Sequence, residues 1–296
     1  MAEKVEIQAL YVEYKHLLFC LAYRLLGNVS DAEDIVHDVY ARLREMDLHD
    51  ENIKSLLCTM VTHRSLDLLK SARYNRESYI GTWLPDPVLL EQNSPLHLVM
   101  QREQLTFAVM YMLQAMNHTE RVVFVLRESL QMKYSEIAAI LHKTEEACRQ
   151  VFSRAKKKIN ISCCIADTEN ADQKLIARSF ILALQSGNIE ALVELLSADV
   201  AYYADGGGIV KAAIKPIRTL SRVIMLFEAL YKKMGLEGGE IAVRELNVNG
   251  EIGAMVLMDQ KIISIIAVQT DQNRIKTIFN LLNPGKIENL SMNRIQ

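Results

Sequence analysis

Leu10, Tyr14, Leu17, Leu18, Leu21 and Leu25 recur at intervals that place them on one face of a helix, and Gly27-Asn28 ends it. Ser30 stands as an N-cap with Glu33 at the reciprocal capping-box position. The helix it opens buries Ala32, Ile35, Val36, Val39 and Leu43. Leu56, Leu57, Met60, Val61, Leu66 and Leu69 line a third helix. Further on, a cap at Thr119 opens an amphipathic run to Glu128. Tyr134 to Leu141 then forms a short helix, His142-Lys143-Thr144 a turn, and Glu145 starts another helix that runs to the basic tail Lys156-Lys157-Lys158.

Glycine and proline divide the chain. Before residue 166 the glycines are Gly27 and Gly81 and the prolines Pro85, Pro87 and Pro95, so 1–76 and 98–160 read as helical and 77–97 as an extended linker. After residue 166 come ten glycines, helices over 171–196 broken at Gly187-Asn188, and β-rich runs at Ile241 to Arg244 and Lys261 to Gln269. The expected fold is multidomain: two all-α domains, 5–76 and 98–160, joined by the linker and followed by an α+β domain over 166–290. With 296 residues, half of them apolar, the chain can bury more than one core.

A net charge of −2 hides strong patterning. Asp31 to Glu51 holds eight acids against Arg42 and Arg44. Lys54 to Arg76 holds five bases against one acid, and Lys133 to Lys158 seven against three. Met1 to Leu10 lacks the apolar segment of a signal peptide, and the run Ile262 to Val268, broken by Ser264, is too short to span a bilayer. Five cysteines without framework spacing fit a reducing compartment. A cytoplasmic protein without membrane, metal or cofactor is expected.

Asp31, Asp34 and Asp38 form one stripe on the second helix. Its sign excludes phosphate, leaving a basic protein surface or simple solvation near a positive helix N-terminus. On the third helix Arg64, Lys70, Arg73 and Arg76 can neutralise phosphates, while His63, Tyr74 and the polar loop Asp47 to Lys54 can meet unpaired bases. An ordinary basic helix face fits equally well. The pair of short helices around His142-Lys143-Thr144 describes a helix-turn-helix, with Thr144 capping the second and Arg149, Gln150, Ser153 and Arg154 left outward to meet a major groove. Glu145 can accept from cytosine or favour the helix N-terminus. A helical hairpin without DNA has the same pattern.

Asp31-Ala-Glu-Asp-Ile-Val-His-Asp-Val-Tyr-Ala-Arg-Leu resembles the polymerase-binding segment of sigma-factor region two, and Val61 to Lys70 resembles the promoter-melting segment that follows it. Many relatives have Asn where this chain has His63. Tyr134-Ser-Glu-Ile-Ala-Ala-Ile-Leu, the turn, and Ala147-Cys-Arg-Gln resemble region four. Together they identify the chain as similar to extracytoplasmic-function sigma factors. The resemblance implies that Asp31, Asp34 and Asp38 dock on the β′ clamp helices of core RNA polymerase. It also implies that Lys54, His63, Arg64, Lys70 and Arg73 take melted −10 DNA, and that Thr144, Glu145, Arg149, Gln150, Ser153 and Arg154 face the −35 element. A ligand-responsive helix-turn-helix regulator that never touches polymerase is the alternative.

Trp83-Leu84-Pro85-Asp86-Pro87 holds the sole tryptophan in a stiff, extended segment. It resembles the W-L-P-E-P motif of the group carrying a C-terminal SnoaL-like domain. Asp205-Gly206-Gly207-Gly208 resembles that group's D-G-G-G-K, with Ile209 for Lys. Asn283-Pro284-Gly285-Lys286-Ile287 resembles its N-P-D-K-L, with Gly285 and Ile287 as departures. Glycines allow close approach, so Asp205 to Gly208 is expected to pack on the Trp83 segment and, with Asn283 and Pro284, form a regulatory contact. All seven histidines lie at or before His142, which leaves the last domain poor in acid–base groups, and no enzyme is expected. A small ligand of that domain stays open.

Overall fold

The structure, a computed structural model, describes residues 7–46, 52–71, 79–90, 94–102, 106–158, 171–271 and 273–292. They group into two compact units, one within 1–76, 93–105 and 109–161, the other within 77–92, 106–108 and 162–296. None of the helices among the described residues is long and apolar enough to cross a membrane.

The first unit is all-helical. α1 (Ile7–Leu26), α2 (Val29–Leu43) and α3 (Ile53–Lys70) pack together, burying Leu18, Leu21, Leu25, Val39, Leu43, Leu57 and Val61. The α2 cap is Asn28 rather than Ser30: its side chain accepts from the Asp31 amide at 2.8 Å, and Ser30 lies inside the first turn. α4 (Pro95–Arg102) and α5 (Phe107–Gln114) lead to α6 (His118–Glu128). Here too the cap moves upstream, from Thr119 to Asn117, which closes a capping box with Glu120. α7 (Tyr134–Leu141) and α8 (Glu145–Lys158) follow. His142 turns the chain between them in the left-handed region at φ 51°, and the Lys143 amide donates to Ala138 O at 3.0 Å.

Within this unit the two helical modules touch. Arg121, buried on α6, donates to Leu25 O at 2.6 Å and to Gln114 O and Met116 O at 3.3 Å, so its guanidinium ties the end of α1 to the turn before α6.

The second unit is α+β. α9 (Ala171–Ser186), α10 (Ile189–Leu195) and α11 (Leu220–Glu237) lie against a sheet of β1 (Leu196–Asp205), β2 (Ile217–Arg218), β3 (Ile241–Val248), β4 (Glu251–Met258), β5 (Lys261–Asp271) and β6 (Arg274–Leu281). The strand order is β2-β1-β6-β5-β4-β3, antiparallel throughout except for the parallel β1–β6 pair. Phe180, Leu184, Leu192, Val200, Val223, Phe227, Ile266 and Ile278 fill the space between helices and sheet. Inside it, Ser264 donates to Asn280 Oδ1 and Asn280 Nδ2 donates to Tyr202 Oη at 2.6 Å, a chain that satisfies the buried amide. α12 (Pro284–Met292) follows β6.

Burial pushes the Glu251 carboxyl up to about 8, against the opposing effect of the Phe107 backbone. A folded value above the ordinary 4.5 means that the native state holds the proton longer, so stability falls as pH rises between 4.5 and about 8. Glu251→Gln is expected to remove that slope, raising Tm at pH 8 while leaving it unchanged at pH 4, as read by thermal melts across the range.

Candidate polymerase and nucleic-acid interfaces

The heptad-like spacing of α2 turns Ala32, Ile35, Val36 and Val39 inward, which leaves Asp34 and Asp38 exposed and Asp31 half-buried on the opposite face. Asp38 is not free. Its carboxylate accepts from Arg64 Nη2 of α3 at 2.6 Å, so one of the acids read as polymerase-facing holds one of the bases read as DNA-facing. With side chains 35% and 54% exposed, this pair is worth at most about 1 kcal/mol and yields readily to a better partner.

Lys54 and Lys70 stand exposed at the two ends of α3, and Arg73 lies outside the described residues. His63 Nε2 sits 2.8 Å from Ile140 O, a carbonyl of the last turn of α7, and the His63 ring lies 6.2 Å from that of His142. The last carbonyls of a helix lack partners of their own, which is why an imidazole N–H settles there. The residue read as a base contact thus holds the helix-turn-helix within the same unit.

On α8, Cys148, Val151 and Ala155 are buried, and Arg149, Gln150, Ser153 and Arg154 are all exposed. Thr144 Oγ1 accepts from the Ala147 amide at 3.2 Å, so its side chain caps the helix. Glu145 pairs with Arg149 at 3.1 Å, and the Arg149 guanidinium lies 5.3 Å from the centre of the Tyr134 ring. Lys156, Lys157 and Lys158 of the basic tail are all exposed, and Lys158 donates to Glu120 at 2.7 Å, the same carboxylate that closes the α6 capping box.

In the second unit, Asp205 at the end of β1 is wholly buried and accepts four donors. Its Oδ1 takes Tyr79 Oη at 2.5 Å and the Gly207 amide at 3.0 Å, and its Oδ2 takes the Leu84 amide at 3.0 Å and Lys286 Nζ at 3.1 Å. Lys286 also donates to Leu84 O, lies 3.7 Å from Asp86 Oδ1 and sits 4.1 Å above the Trp83 ring centroid. Asn283 Nδ2 reaches Tyr79 Oη at 3.0 Å. Burial, and then the bond to Asp205, raise the Tyr79 phenol well above its ordinary value.

Space dictates the glycines here. At Gly206 a Cβ would stand 2.3 Å from Val210 O, and at Gly207, where φ is +65°, 2.5 Å from Asn283 Cγ. Pro85 is buried beside Leu84, and Pro284 opens α12 directly after Asn283. Farther along the linker, Val88 exchanges hydrogen bonds with Asn249, its amide to Oδ1 and its carbonyl from the Asn249 amide, both at 2.9 Å. Tyr79, Lys286 and Asn249 were not among the expected contact residues. Lys286 carried a signal as the cation of its motif; Tyr79 and Asn249 carried none.

Residues 10–74 match Sigma-70 region 2, and residues 106–159 match Sigma-70, region 4. The two helical modules, one with an acid-striped helix and one with a helix-turn-helix, are those of a transcription initiation factor. The chain is 34% identical to the ECF RNA polymerase sigma factor SigJ of Mycobacterium tuberculosis over 242 residues, 80% of this chain and 77% of that protein. It is 30% identical to a probable ECF RNA polymerase sigma factor SigI of the same species over 204 residues, 68% and 70% of the two chains. The crystal structure of SigJ superposes with a TM-score of 0.77 at 29% identity, covering 94% of this chain and 97% of that one. The chain belongs to the ECF (extracytoplasmic-function) RNA polymerase sigma factors, with an α+β domain following its two helical modules. Its function is to direct bacterial core RNA polymerase to promoters and initiate transcription; a regulator independent of polymerase is not favoured.

Removing the Asp205 carboxylate leaves Lys286, 11% exposed, with the more distant Asp86 carboxylate at 3.7 Å, and strips the Tyr79 hydroxyl and the Leu84 and Gly207 amides of their acceptor. Asp205→Ala is expected to cost about 3–5 kcal/mol of unit stability. It should also shift the emission of Trp83, the sole tryptophan, to longer wavelength. Urea titration of the full chain followed by fluorescence measures both.

Proposed function

We propose that Asp31, Asp34 and Asp38 engage the β′ clamp helices of core polymerase. Lys54, His63, Arg64 and Lys70, with Arg73, take the melted −10 strand, and α8 reads the −35 element through Arg149, Gln150, Ser153 and Arg154. The single observation that carries this assignment is the outward α8 face: those four side chains are exposed together while the apolar side of the helix is buried. Thr144 acts there as a cap, and Glu145 orients Arg149.

His63 and Arg64 each have an intramolecular partner, so engagement of polymerase and DNA exchanges weak contacts for stronger ones. A single neutral hydrogen bond contributes about 1 kcal/mol net, and an exposed ion pair no more. Taking Asp38 onto a cationic protein surface releases Arg64 for phosphate. One docking event thereby prepares the next.

The SnoaL-like domain acts in cis on the linker between the two DNA-binding modules, through the Asp205–Lys286 grip on Trp83, Leu84 and Pro85 and through Asn249. Such a grip sets how far the modules can separate, and bivalent binding depends steeply on that distance. The protein works in the cytoplasm as a binding factor, without catalysis of its own.

Asp31→Lys with Asp38→Lys is expected to abolish capture of purified core polymerase while leaving the helical content of the chain unchanged; retention of capture would overturn the polymerase assignment. Arg149→Ala is expected to cost about 1–3 kcal/mol of promoter affinity and to relax one −35 position in a selection from randomised promoters. An equal loss over all sequences would make Arg149 a phosphate contact instead.

A further inference from the structure

Three cations among the described residues of the SnoaL-like domain pair with carboxylates. Arg178 pairs with Glu245 at 3.2 Å, Lys276 with Asp271 at 3.1 Å and Lys286 with Asp205 at 3.1 Å. One stretch is distinguished by gathering cations without acids. Between Asp205 and Glu228 the chain has no acid, yet it carries Lys211, Lys215, Arg218 and Arg222. All four are exposed, and none makes an ion pair with a described residue.

Their placement brings them to one edge of the sheet. Lys211 and Lys215 lie on the connection between β1 and β2. Arg218 ends β2, the edge strand, opposite Ala201, and Arg222 lies in the first turn of α11, which holds no acid. Thr219 and Ser221, both exposed, put hydroxyls between the two arginines. In a chain of net charge −2, four unneutralised cations within a dozen residues are maintained against the average and create a local positive field.

We propose that this edge is a further nucleic-acid contact: it binds the phosphate backbone of duplex promoter DNA, without reading sequence. The donor set fits that polyanion, because arginine, lysine and short hydroxyls supply most phosphate contacts in protein–DNA complexes. A protein partner would be met at its centre by apolar and aromatic groups. From Lys215 to Arg222 the structure has no exposed large apolar side chain; the exposed Ile214 lies between Lys211 and Lys215, Ile209 and Val210 precede Lys211, and Met225 lies one turn beyond Arg222.

The inference rests on the assignment of the chain as a promoter-binding sigma factor, and its test separates the two. The full chain with Lys211, Lys215, Arg218 and Arg222 changed to Gln is compared with the unchanged protein, first as holoenzyme with core polymerase on a promoter fragment and then alone on non-specific duplex. Each phosphate no longer neutralised lowers the slope of log affinity against log salt by about 0.9, so the slope is expected to fall by about 3–4 in both settings. Sequence preference and capture of core polymerase are expected to be unchanged. Arg218→Lys with Arg222→Lys keeps the charges and should keep the slope, and unaltered Trp83 emission establishes that the variants are folded. An unchanged slope on both DNAs overturns the proposal. So does weakened capture of core polymerase with an intact DNA slope, which would make the edge a site for an acidic protein surface. A holoenzyme without promoter preference would defeat the sigma assignment instead, and the slope on non-specific duplex would still decide the edge.

Discussion

The ammonium of Lys286 and the carboxylate of Asp205 meet where water is almost absent, and the linker is held because both groups need it. An ion pair taken out of water loses hydration that its own attraction barely restores, so it persists only when further hydrogen bonds complete each partner. Here the linker supplies them. The Leu84 amide and the Tyr79 hydroxyl complete Asp205, and the Leu84 carbonyl and Trp83 ring complete Lys286. Residues separated by as many as 204 positions thereby become one structural element. Undocking the linker would strip both charges of these partners at once.

The helical unit is built the other way. Its helices bury apolar faces, but the groups proposed to meet polymerase and DNA are held by weak contacts: Arg64 by Asp38, His63 by a helix-end carbonyl, Arg149 by Glu145 and the Tyr134 ring. Strong packing keeps the helices in place while weak pairs hold the side chains in readiness. That division suits a factor that must keep its fold while exchanging partners.

The helices and their apolar faces were legible because their signal is local. The turn at His142-Lys143-Thr144, with Thr144 capping α8, could be read from a few adjacent residues. The caps at Ser30 and Thr119 were displaced to Asn28 and Asn117, since Ser and Thr are tolerated in a first turn and an Asn two residues earlier competes for the same role. Asn117 followed by Glu120 has capping-box spacing, a signal present in the sequence. Tyr79 and Asn249 were out of reach of any pattern, because their partners lie 126 and 161 positions away. His63 poses a different difficulty: its chemistry suits a base and a carbonyl alike, and only the packing of α7 reveals which it holds.

The linker does one more thing. β3 ends the sheet, and its outer side would offer unpaired backbone amides and carbonyls to any passing strand. Leu89 bridges Val248 in antiparallel register, with the Leu90 amide directed to Asn247 O at 3.4 Å, so the linker covers the far end of that open border. Exposed strand borders invite intermolecular sheet growth. The segment that joins the two helical modules therefore also shortens the length of sheet border left open to another chain.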